Sequence, residues 1–104
     1  MLFFHLKSEE KKFEEINKLQ ILQLASKCFT RALNLQPENV ACWQDLSLSF
    51  HYRILENDTD MDDLKSKSFA AIRKALVLSP QNCELWNILG VFAAFHQDSA
   101  LGNY

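Results

Sequence analysis

Apolar residues recur at helical intervals along most of the chain, and the breaks between them are sharp. Phe13, Ile16, Leu22, Ala25, Phe29 and Ala32 make one stripe, which predicts a long helix over residues 9–35. Glu9, Glu10, Glu14 and Glu15 near its start favour the positive end of the helix dipole. Pro37 then closes the helix, because a proline bars its predecessor from the α region. Trp43, Leu46 and Phe50 fall on one face at i, i+3 and i+7 and predict a helix over 40–55. A polar run at 56–60 separates it from a helix over 61–78, which Pro80 terminates. A fourth helix is predicted over 83–97, with Trp86, Leu89 and Ala93 on one face. Asn39 and Asn82 stand where N-caps belong.

The pattern repeats itself. Residues 31–46 and 74–89 share seven of sixteen aligned positions, each pair 43 residues apart: Ala32/Ala75, Leu33/Leu76, Leu35/Leu78, Pro37/Pro80, Asn39/Asn82, Trp43/Trp86 and Leu46/Leu89. Each copy is a helix, a short turn and a second helix. The small residue after the shared leucine, Ser47 or Gly90, is expected to let a neighbouring helix approach closely.

These residues resemble the tetratricopeptide repeat, in which W-x2-L-G-x2-Y is followed by A-x3-F and then A and P over about 34 residues. On that pattern Ala25, Phe29, Ala32 and Pro37 belong to repeat one. Trp43, Leu46, Ser47, Phe50, Ser68, Ile72, Ala75 and Pro80 belong to repeat two, and Trp86, Leu89 and Gly90 to repeat three. The resemblance implies an all-α fold of tetratricopeptide-repeat helical hairpins, a partial α-α solenoid forming one region over 1–104. Residues 9–37 would be the second helix of repeat one, 40–80 repeat two with an acidic insertion at 56–63, and 83–104 the first helix of a truncated repeat three. The period of 43 also suits HEAT repeats, but the placement of Trp and Pro argues against them. The residues after 97 stop where a further helix would begin, which reads as a chain cut through a repeat.

Composition narrows the function classes. The chain has 104 residues, 48% hydrophobic and 23% charged, with two glycines and two prolines. That is too few turn residues for many short strands. A formal net charge of -2 gives no basic excess of the kind nucleic-acid binders carry. The longest apolar run, 88–95, falls far short of the about 20 residues that span a bilayer. No basic n-region or cleavage site marks the first residues as a secretion signal. Cys28, Cys42 and Cys83 are an odd count at wide spacings, so they fit neither a disulfide framework nor a zinc site and read as small buried hydrophobes in a reducing, intracellular setting.

Catalytic, cofactor and metal sites find no support. The run Glu56, Asp58, Asp60, Asp62 and Asp63 begins like a calcium loop counted from Asp58. However, Asp63 stands where a glycine is needed and Phe69 where a bidentate glutamate is needed. A solvated loop, with Thr59 or Asp60 capping the next helix, is the better reading. His5, His51 and His96 have no ligand-spaced partners, and the tryptophans read as core anchors between paired helices. What remains is surface. Stacked helix pairs form a concave face, where the family places Gln44, Leu48, His51 and Tyr52 from repeat two and Asn87, Val91 and Phe95 from repeat three. Co-chaperone members clamp a peptide carboxylate with Lys and Asn there. Gln44, Leu48, Asn87 and Val91 supply no cation, so that type is disfavoured.

Within the family, residues 28–33, Trp43-Gln44-Asp45-Leu46, the insert before Asp62-Asp63-Leu64-Lys65, residues 85–91 and Gly102-Asn103-Tyr104 are similar to the scaffold subunits of superkiller (Ski) complexes. That resemblance implies a non-catalytic, cytoplasmic scaffold, with the nucleus as a second compartment. It would hold RNA helicase and WD-repeat subunits and assist exosome-mediated 3'-5' mRNA decay, touching nucleic acid only indirectly. A stand-alone peptide-binding adaptor and a repeat segment attached to an enzyme are the alternatives. Neither outermost apolar face has a partner helix in the sequence, so both are expected to stay partly exposed.

Overall fold

The computed structural model describes the backbone of residues 2–101 and the side chains of residues 17–97. Four helices follow one another: α1 (Leu2–Leu35), α2 (Val40–Leu55), α3 (Met61–Leu78) and α4 (Cys83–Leu101). α1 therefore starts seven residues before the point its apolar stripe predicts, and α4 continues four residues past 97. The glutamates of the first turns, together with Phe13 and Ile16, lie outside the described side chains, as do Gly102, Asn103 and Tyr104. Each helix packs on the next in the chain, most extensively α2 on α3. The architecture is that of tetratricopeptide-type helical hairpins in a short solenoid.

The α1–α2 and α3–α4 turns share their backbone and indole hydrogen bonds. Asn39 caps α2, its side-chain oxygen accepting from Cys42 N at 3.1 Å, and Asn82 Oδ1 accepts from Glu84 N at 3.1 Å and Leu85 N at 3.4 Å. Trp43 Nε1 donates to Pro37 O and Trp86 Nε1 to Pro80 O, both at 2.8 Å. Each indole thus holds the carbonyl of the proline that ended the previous helix. Such a carbonyl has no intrahelical donor of its own.

The α2–α3 connection is different. Asp58 N donates to Arg53 O and Asn57 N to Ile54 O, both at 3.0 Å, while Asn57 has φ 59°. That is a Schellman end with asparagine in the left-handed position usually given to glycine. Asp60 precedes α3, also with positive φ, but its side chain makes no capping bond, contrary to the expected cap. Nor does Thr59 supply one: its N–H and hydroxyl both turn to Asp58 Oδ1.

Two apolar clusters fill the interior. Leu33, Cys42, Leu46, Phe50, Ile54, Leu64 and Ala71 form one, and Ile72, Ala75, Leu76, Leu85 and Phe92 the other, with Trp43 packed against both. Ile72, Leu85 and Phe92 have no exposed surface, and burying each is worth about 1.5–3 kcal/mol.

The repeated residues differ in burial according to their place. In the middle of the stack Leu46, Ser47, Phe50, Ser68, Ile72 and Ala75 are buried. Their counterparts 43 residues away fare otherwise: Ala32, Gly90 and Ala93 are exposed, while Ala25, Phe29 and Leu89 are half-buried, and Trp86 is exposed where its counterpart Trp43 is half-buried. Trp86, 53% exposed, is therefore not the core anchor its residue type suggests. A Cβ built on Gly90 would meet nothing within 4 Å, so the close approach expected there does not occur, whereas Ser47 fills the same position with no exposed surface. The reason is geometric. Only the central helices have a neighbour on both sides.

Candidate functional site

Leu48, His51 and Tyr52 of α2 and Asn87 and Val91 of α4 line one groove of about 260 Å³ with Glu84, Ile88 and Phe92. Helix periodicity places them there, since 48, 51 and 52 on α2 and 84, 87, 88 and 91 on α4 share a face. Gln44 lies outside the lining. Its Nε2 donates to Glu84 Oε1 at 3.2 Å and ties the start of α2 to that of α4. Tyr52, Val91 and Phe95 are exposed, and no Lys or Arg is among the groove's residues. The groove suits an apolar side chain and offers no cation to hold a carboxylate.

His51 forms its floor. The imidazole is buried, 4.6 Å from the Phe92 ring and 5.3 Å from Phe95, edge to face. His96 lies on the other side of the same aromatic set, 5.6 Å from Phe69. His51 Nδ1 and His96 Nε2 are buried without a hydrogen-bond partner. Burial pushes the pKa of His51 below the usual imidazole range, and His96 adds to the effect. Burial and then the Lys65 ammonium do the same to His96. Each ring is favoured in its neutral form.

A second polar feature lies between α1, α2 and the acidic insertion, and it corrects the solvated-loop reading at Asp58 alone, the other residues of 56–63 being exposed or partly so. Asp58 is buried. Its Oδ2 accepts from Arg53 Nε at 2.8 Å and from Gln23 Nε2 at 3.2 Å, and its Oδ1 from Thr59 N at 2.7 Å. Burial raises the carboxyl's pKa, but the bonds from Arg53, Gln23 and Thr59 outweigh it and hold the group below the ordinary carboxylate range. Arg53 Nη1 also reaches Ser26 Oγ at 3.4 Å, and Ser26 Oγ lies 2.9 Å from Ser49 Oγ. Lys18 pairs with Glu56 at 2.9 Å at the exposed rim. The insertion is thereby fastened to α1. Five acids in a short stretch look alike in sequence, and the one trace of this network is Arg53, the single cation in the last turn of α2.

The cysteines divide. Cys42 is buried, its Sγ donating to Phe29 O at 3.4 Å, and burial followed by the Asp45 charge raises its thiol pKa. Cys28 and Cys83 are exposed, which corrects the expectation that all three are buried. Among the described residues no three His, Cys, Asp or Glu side chains gather as a metal site, and no helix is long and apolar enough to cross a membrane.

The outer faces stay open, as their patterning predicts. On α1, Ile21, Leu24 and Leu35 are exposed, as are Trp86, Gly90 and Ala93 on α4.

No protein-family model matches the chain. No solved structure matches it either. Among curated proteins it is 34% identical over 95 residues to human (Homo sapiens) superkiller complex protein 3, a match that takes in 86% of this chain and 6% of that protein. It is 33% identical over 82 residues to tetratricopeptide repeat protein 37 of Xenopus laevis, covering 73% of this chain and 5% of that protein. Over 97 residues it is 30% identical to superkiller complex protein 3 of Mus musculus, covering 88% of this chain and 6% of that protein. The chain thus spans about one twentieth of the length of these relatives. With a four-helix solenoid, paired Trp–Pro turns and these similarities, the chain belongs among the tetratricopeptide-repeat proteins and is similar to a short stretch of superkiller complex protein 3.

Proposed function

We propose that this chain is a non-catalytic protein–protein interaction scaffold of the superkiller type, which helps hold an RNA helicase and WD-repeat subunits for cytoplasmic exosome-mediated 3'-5' mRNA decay. The observation that carries the reading is the 34% identity to superkiller complex protein 3 across 86% of the chain. The chemistry agrees with it: two outer helix faces and one apolar groove provide contact area, and the buried bonds of Asp58 with Arg53 and Gln23 and of Ser26 with Ser49 hold the helices together. The chain contacts protein and hydrolyses nothing itself. In this proposal residues 9–37, 40–80 and 83–104 are successive parts of three repeats, and Ala25, Phe29, Ala32, Pro37, Trp43, Leu46, Ser47, Phe50, Ala75, Pro80, Trp86, Leu89 and Gly90 serve the stack. The test is a pull-down of purified superkiller helicase and WD-repeat subunits on the immobilised chain. Retention of either subunit, lost on charge reversal at the outer faces, is the expected result. Passage of both through the column overturns the reading.

A second reading has its own observation, the apolar groove around His51, whose Nδ1 has no partner. A stand-alone adaptor would bind there a peptide with an apolar anchor. Binding of such peptides that is abolished by Val91→Arg, with no affinity for superkiller subunits, would favour the adaptor.

A further inference from the structure

The stack contains the pattern of its own continuation. α2 and α3 form the most extensive helix pair in the chain, and the residues that do this work reappear in the outer helices. α4 carries the α2 set shifted by 43: Trp86 for Trp43, Leu89 for Leu46 and Gly90 for Ser47. α1 carries the α3 set shifted the other way: Ala25 for Ser68, Phe29 for Ile72 and Ala32 for Ala75. In the inner pair Ser47, Ser68, Ile72 and Ala75 have no exposed surface. In the outer helices the corresponding faces are open, with Trp86, Gly90 and Ala32 exposed and Ala25, Phe29 and Leu89 half-buried.

Charge points the same way. Residues 17–35 of α1 contain Lys18, Lys27 and Arg31 and no acid, whereas α4 contains Glu84 and Asp98 and no Lys or Arg. Pairing this stretch of α1 with its own copy would set like charges against each other, while pairing it with α4 sets opposite ones together.

We propose that copies of this chain associate head to tail, α4 of one copy seating on α1 of the next as α2 seats on α3 within each copy. Trp86 then faces the partner's Phe29 and Ala32, and Gly90 takes the close-approach position that Ser47 holds inside. The interface is heterologous, because its two halves are different surfaces at opposite ends of the chain. Such contacts add copy upon copy into an open stack, or close into a ring if the rotation allows. The inference rests on the internal repeat and not on the superkiller reading, so either can fail alone.

Sedimentation and light scattering of the full chain over a concentration series provide the test. The wild-type mass should rise with concentration beyond a dimer, and high salt should lower it. Gly90→Glu blocks the α4 face at a site with open space around it, and Cys28→Glu blocks the α1 face at an exposed position. Each variant alone should stay monomeric, with self-association weakened about tenfold or more. Mixed in equal amounts they should form a heterodimer that grows no further, since each supplies one intact face. Trp86→Glu and Ile21→Glu repeat the blocks, and circular dichroism confirms that each variant remains helical. A wild-type chain monomeric at every concentration overturns the proposal. So does dimerisation of the Gly90→Glu variant alone, which would mean α1 pairs with α1, or a mixture that stays monomeric.

Discussion

Arg53 Nε meets Asp58 Oδ2 at 2.8 Å in a site where the aspartate is almost closed to water. The arginine ends one helix and the aspartate opens the insertion, and Gln23 binds the same carboxylate from α1. Removing one partner of a buried pair leaves the other charge uncompensated. Asp58→Ala should therefore cost about 2 kcal/mol, less than for a wholly buried pair because Arg53 keeps some access to water. Gln23→Leu should cost less, about 1.5 kcal/mol, since it deletes one hydrogen bond to the charged carboxylate and leaves the ion pair in place. Urea unfolding of both variants checks the order, and equal losses would contradict it.

Acid should loosen α4. The His51 and His96 pKa values lie below the ordinary imidazole value of 6.5, so folding prefers both rings neutral. The fold binds fewer protons than the unfolded chain, and stability must fall as pH drops through 6.5 towards the folded-state values. Lys65 faces His96, and Glu84 lines the groove beside His51. Midpoints of thermal unfolding between pH 8 and pH 5 should decline, and the double variant His51→Phe, His96→Leu should flatten that decline. An unchanged slope in the double variant would mean that other groups titrate.

Gly90→Ala should stabilise the monomeric chain by about 0.5–1 kcal/mol, the ordinary cost of glycine within a helix. Open space around its Cβ makes this a clean comparison. Ser47→Gly, at the buried counterpart, should destabilise. Two chemical-denaturation curves in dilute solution decide the matter.

Asn57→Gly should stabilise by about 0.5 kcal/mol, because the Schellman end holds residue 57 at positive φ, where a side chain costs energy. The same substitution at Asn39, which is extended and caps with its side chain, should destabilise. Calorimetric midpoints moving in the same direction for both would refute the assignment of these two turns.

The helix order was legible from prolines and periodicity because both act locally. Pro37 and Pro80 stop their helices regardless of what surrounds them, and Asn39 caps through a neighbour three residues away. Burial was less legible. Trp43 and Trp86 are the same residue in the same local setting, and what separates half-buried from exposed is whether another helix lies alongside. Asp58 failed for a related reason. Its partner Gln23 is 35 residues distant, and nothing in an acidic run marks which carboxylate will turn inward. Of the groove, Leu48, His51, Tyr52, Asn87 and Val91 could be placed on one surface only through the resemblance to the tetratricopeptide family. The loss of Gln44 to Glu84 depended on how α2 and α4 approach.

The paired indole-to-proline bonds set a rule for tolerated length change. Trp43 and Trp86 each reach back six residues to a carbonyl at 2.8 Å. One residue added between proline and tryptophan would rotate the indole off its acceptor and uncap the following helix, so those two turns cannot grow. The α2–α3 connection has no such clasp. Its anchor, Asp58, grips from within the loop and leaves the following residues free to lengthen, so homologous chains should vary in length there and keep the two Trp–Pro turns constant.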